Sequence, residues 1–90
     1  MQIGVHIIVQ GYVQGVGFRW FVLRRATSLG LTGWVRNGYR GEVELEAEGE
    51  RSLIEELIKE VKVGPRSAQV KDLIIEWQEI KNQFTGFEIR

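Results

Sequence analysis

The chain contains no cysteine, which excludes a disulfide framework, a thiolate metal site and a cysteine nucleophile together. It has one histidine, His6, and one aspartate, Asp72. A multi-histidine metal centre and an aspartyl-phosphate intermediate are thereby disfavoured, and Ser28, Ser52 and Ser67 have no histidine beside them in sequence to activate a hydroxyl. Net charge is missing too, because twelve basic residues balance twelve acidic ones. No global field gathers polyanions, so a nucleic-acid partner is not expected. No apolar run reaches the roughly 18 residues of a membrane span, and Met1 leads straight into strand-like residues without a signal-peptide pattern. The expectation is a soluble, cytoplasmic monomer with no membrane partner. A single proline against eleven glycines points to tight turns between regular elements, not to disorder.

What remains is enough for one domain over residues 1–90. Folding at this length hides only about 60% of the chain's surface, so one modest core is all that can be built, and 43% apolar residues suffice to fill it. Residues 3–13 alternate Ile3, Val5, Ile7 and Val9 with other positions, the period of a half-buried strand. A glycine-rich loop, Gly11 to Gly17, follows. The period then changes: Phe18, Phe21, Val22, Ala26 and Leu29 lie on one helical face that Gly30 ends. Trp34 and Val35 open a second strand, and the Gly38–Gly41 turn leads into a third. There Glu42, Glu44, Glu46 and Glu48 read as one solvated, edge-protecting face. Ser52 and Glu55 have capping-box spacing before a second helix with Ile54, Leu57, Ile58 and Val61 inward, ended by Gly64-Pro65. Residues 68–78 form a strand whose apolar phase switches midway, predicting a bulge or bend, and Gly86–Arg90 can add a short last strand. The order is that of an α+β, ferredoxin-like βαββαβ sandwich, a mainly antiparallel sheet with two helices on one face.

The segment Gly11-Tyr12-Val13-Gln14-Gly15-Val16-Gly17-Phe18-Arg19 joins a strand to a helix N-terminus. Glycines there let several N–H groups point inward, and the helix end adds partial positive charge, so the loop is built like an anion cradle. Arg19 opposes the helix dipole unless an anion sits between them, and its planar fork suits two phosphate oxygens. Phosphate or carboxylate is the natural guest. The spacing is neither a Walker A loop nor a dinucleotide fingerprint, since Trp20 stands where the latter needs its last glycine. Asn37, before Gly38, reads by itself as an ordinary turn residue. His6 reads as a structural or solvated strand residue, and Trp20 and Trp34 as packing or surface cover beside the two glycine-rich segments.

Gly11-x-Val13-Gln14-Gly15-Val16-x-Phe18-Arg19 resembles the first signature of the acylphosphatase family. Gly33-Trp34-Val35-Arg36-Asn37-x-x-x-Gly41-x-Val43, followed by Gly49, is similar to the second. At residue frequencies of about 5%, seven matched positions in the first stretch coincide by chance with a probability on the order of 10⁻⁹ per start. The resemblance implies hydrolysis of acyl phosphates to carboxylate and inorganic phosphate, without metal or cofactor. It also implies phosphate held by Gln14, Gly15, Val16, Gly17, Phe18 and Arg19, and water positioned by Asn37. Two other readings stay open at this stage. One is a non-catalytic anion-binding or regulatory domain of the same fold, which would need Arg19 and the loop but not Asn37. The other is an RRM-like RNA-binding module, whose aromatic signature the chain lacks.

Overall fold

The computed structural model describes all 90 residues. Alternation in the first segment yields strand β1 (Gln2–Tyr12), with Val5, Ile7 and Val9 fully buried on one face. Helix α1 (Phe18–Ser28) buries Phe18, Val22 and Ala26. It closes as the sequence predicts, the Gly30 and Leu31 N–H groups donating back to the Thr27 and Ala26 carbonyls at 3.0 and 2.9 Å. Strands β2 (Thr32–Asn37) and β3 (Val43–Glu50) form a hairpin, followed by α2 (Arg51–Val63), β4 (Gln69–Gln78) and β5 (Phe87–Ile89). The sheet order is β4-β1-β3-β2-β5, antiparallel except for the β2–β5 pair. The two helices bury Phe18, Val22, Ile54, Leu57 and Val61 against Val35, Val43 and Leu45 of the sheet. Each such large side chain contributes about 1.5–3 kcal/mol of burial free energy. No helix is long and apolar enough to cross a membrane.

The phase switch in β4 is a bulge. Gln10 pairs with Asp72 but Gly11 with Val70, so Lys71 is an extra residue on β4. That insertion lets Val70 and Leu73, three apart, both pack against the core. Gly11 sits opposite it with φ 132°, and a Cβ there would lie 2.1 Å from the Gln69 carbonyl oxygen.

Two expectations are corrected. The capping box does not form: α2 begins at Arg51 after Glu50, with no side-chain cap, which places Ser52 inside the first turn. Nor do the glutamates guard an edge. β3 lies in the sheet interior between β1 and β2, Glu42 belongs to the turn, and Glu48 is only 2% exposed. The alternation fixed which face Glu44, Glu46 and Glu48 share, but the segment after β4 packs over the last of them. Lys81 and Asn82 donate backbone N–H groups to the Glu48 carboxylate at 2.8 and 3.1 Å.

Candidate active site

Loop and hairpin meet at one end of the sheet. Val13 and Phe18, each 1% exposed, pin the two ends of the loop to the core. Between them Gly15 and Gly17 have φ of 73° and 77°, while Gln14 and Val16 stay at negative φ. Residues alternating in this way turn successive N–H groups toward a common concavity. A Cβ on either glycine would meet nothing within 4 Å, so backbone dihedral, not space, demands glycine there. The first hydrogen bond of α1 runs from Phe21 N–H to the Gly17 carbonyl at 3.0 Å. The backbone N–H groups of residues 15–20 therefore donate to no protein acceptor. The first turn holds no acidic residue and Gly17 offers no side-chain cap, so neither takes the place of an external anion. Arg19, the second residue of α1, is half-buried and joins none of the ion pairs of the molecule. These features together make a positive, donor-rich helix end.

Asn37 is the last residue of β2, opposite Val43. It is half-buried, on the face of β2 that carries fully buried Val35. It is not a turn residue: its φ is negative, and the turn closes beyond it through Gly38 N–H to the Glu42 carbonyl at 2.8 Å. Gln14 brings loop and hairpin together. Its Nε2 donates to the Gly38 and Glu42 carbonyls, each at 2.8 Å, which sets the glycine-rich loop beside the residue following Asn37.

The family model for acylphosphatases matches residues 5–89. The chain belongs to the acylphosphatase family. It is 49% identical over 82 residues to the acylphosphatase of Salinibacter ruber, covering 91% of this chain and 86% of that one. To that of Caldivirga maquilingensis it is 51% identical over 87 residues, covering 96% and 92%. The crystal structure of acylphosphatase from Bacillus subtilis superposes with a TM-score of 0.94 at 37% identity, covering 100% of this chain and 99% of that one.

The structure gathers the Gln14–Phe18 loop, Arg19 and Asn37, the residues of the two signatures, at one end of the sheet. The Gln14 side chain is turned to the hairpin. Trp34 lies away from the glycine-rich loop, on the open face of the sheet. It is 8% exposed, with the Arg36 and Arg90 guanidinium carbons 5.1 and 5.4 Å from the ring centre. Trp20, by contrast, is largely exposed next to Arg19. Motif reading missed a polar network behind Asn37 in this acylphosphatase-family chain. Glu44 accepts from Arg36 at 2.7 Å and meets His6 Nε2 at 2.6 Å. The hairpin register sets Arg36 and Glu44 opposite each other, one residue off the pairing that a Gly38–Gly41 turn alone implies. The His6 contact needs the β1–β3 pairing, which no local signal specifies.

Proposed function

We propose that this chain hydrolyses acyl phosphates, passing the phosphoryl group to water and releasing a carboxylate and inorganic phosphate. The observation that carries the reading is the run of unpaired N–H groups at residues 15–20, which includes Arg19, itself without a carboxylate partner. The activity is also the one named for its relatives. An acyl phosphate brings its own leaving group, a weakly basic carboxylate that departs with the electron pair of the P–O bond and needs no protonation. Catalysis then reduces to neutralising the equatorial phosphoryl oxygens and placing a water in line. The loop amides and the Arg19 fork perform the first task. Asn37 performs the second, its carbonyl oxygen accepting from the water. As the O–P bond forms, the water proton passes to a phosphoryl oxygen of the substrate, so no side-chain base is required. Rates that track the acidity of the substrate phosphate across analogues support that transfer; rates indifferent to it place the proton elsewhere.

The reading implies a cytoplasmic monomer acting on small molecules, with no metal, cofactor or nucleic acid, in a single domain of residues 1–90. Hydrolysis of acetyl phosphate in the presence of a chelator tests the chemistry. Full activity is expected for the unmodified chain. Arg19→Gln and Asn37→Ala are each expected to lose at least about a hundredfold in kcat/KM. Arg19→Gln also weakens inorganic phosphate as an inhibitor, whereas Asn37→Ala leaves it intact. Equal activity in all three proteins refutes the assignment, and phosphate binding without turnover favours the anion-binding domain.

A further inference from the structure

The β1–β3 ladder stops at the Val9–Val43 pair. Beyond it β1 runs on through Tyr12 paired to β4 alone, so at the site end the sheet no longer ties the loop to the hairpin. One side chain spans the gap. The Gln14 amide has two N–H donors, and both are used, on the Gly38 and Glu42 carbonyls at 2.8 Å each. Because both partners are carbonyl oxygens, they can face only the nitrogen end of the amide, which settles its orientation. Glu42 O also receives the Gly38 N–H at 2.8 Å. Gln14 therefore closes a bracket around both strands of the turn that starts one residue after Asn37. No other hydrogen bond joins residues 13–17 to residues 36–42.

We propose that Gln14 is a positioning residue: its side chain does not bind phosphate but holds the Asn37 hairpin at a fixed distance from the phosphate loop. The inference rests on the assignment of Asn37 to the attacking water. Its chemical basis is specific. Glutamate would press a carboxylate onto two carbonyl oxygens, and methionine, with nearly the same shape, removes both donors while keeping the packing.

The test measures kcat, KM and inhibition by inorganic phosphate, with acetyl phosphate as substrate, for the unmodified chain, Gln14→Met, Asn37→Ala and the double variant. A displacement of about 1 Å at a reacting group costs about a hundredfold, so Gln14→Met is expected to lower kcat by about ten- to a hundredfold. Phosphate inhibition stays unchanged, since the loop N–H groups and Arg19 remain. The double variant is no slower than Asn37→Ala, because a support for Asn37 has nothing left to support. Gln14→Met turning over at the unmodified rate overturns the inference, as does phosphate inhibition weakening in step with kcat, or additive losses in the double variant. If Asn37→Ala itself retains full activity, the water-positioning assignment fails first, and that outcome is distinct from a silent Gln14→Met beside a crippled Asn37→Ala. Should Gln14→Met not fold, NMR of the unmodified chain decides. Slowly exchanging Gln14 side-chain amide protons coupled to the Gly38 and Glu42 carbonyls support the bracket, and a freely exchanging amide refutes it.

Discussion

Glu44 has about a fifth of its side chain exposed on the open face of the sheet, between Arg36 and His6. Burial pushes its carboxyl up, but the hydrogen bonds and charges of His6 and Arg36 outweigh this, leaving it below the ordinary value of 4.5. The folded state then binds fewer protons at this group than the unfolded state does. Its stabilisation is fully present above pH 4.5 and is lost as pH falls through the depressed folded value. Denaturant unfolding from pH 6 to pH 3 is expected to show a shallower acid limb for Glu44→Gln than for the unmodified chain; matching limbs count against the network. Neither partner was legible: a Gly38–Gly41 turn alone sets Arg36 opposite Val43, and only the observed register, Arg36 with Glu44, makes the pair. A single histidine on a strand gives no local sign of its partner, because the partner is set by how separate strands pair. The same limit explains Gln14: its place in the motif was legible, but the direction of its side chain was not, since its acceptors lie 24 and 28 residues away.

At the scale of elements, the junction between β1 and α1 was the most readable part of the chain. Glycines permit a conformation that other residues pay to adopt, so their spacing carries backbone information directly. Gly17→Ala tests this. No atom obstructs the added methyl, so the cost is that of holding a left-handed alanine at φ 77°, about 1–2 kcal/mol of unfolding free energy. The loop N–H groups are disturbed as well, and inorganic phosphate is expected to inhibit more weakly, as a titration of initial rates will show. Unchanged stability and inhibition together would mean that the nest plays no part. The start of α2 was less legible. Ser52 and Glu55 have capping spacing, but the tight passage from β3 at Glu50 to α2 at Arg51 starts the helix one residue before Ser52. In β4 the broken alternation did foretell the bulge, because an inserted residue must shift the inward phase.

Across the whole molecule, the site and the main polar clamp occupy opposite ends of the sheet. Val43, opposite Asn37, and Glu48 are five residues apart on β3, about 17 Å at strand rise. After β4 the chain must travel from one edge of the sheet to β5 at the other, and the Glu48 carboxylate holds Lys81 and Asn82 on that path. Glu48→Ala strips two part-buried N–H groups of their acceptor and is expected to cost roughly 1–3 kcal/mol. In chemical denaturation the midpoint should fall while kcat stays unchanged; a loss of activity without destabilisation contradicts the separation. The sequence by itself determined the element order, the inward stripes and the glycine-rich loop between β1 and α1, because dihedral preference and periodicity are local properties. Only the tertiary structure decided that β3 is an interior strand, that its glutamates serve as acceptors, and that Gln14 ties the loop to the Asn37 hairpin. Those facts depend on pairings between distant segments, set by the packing of the whole chain around one core.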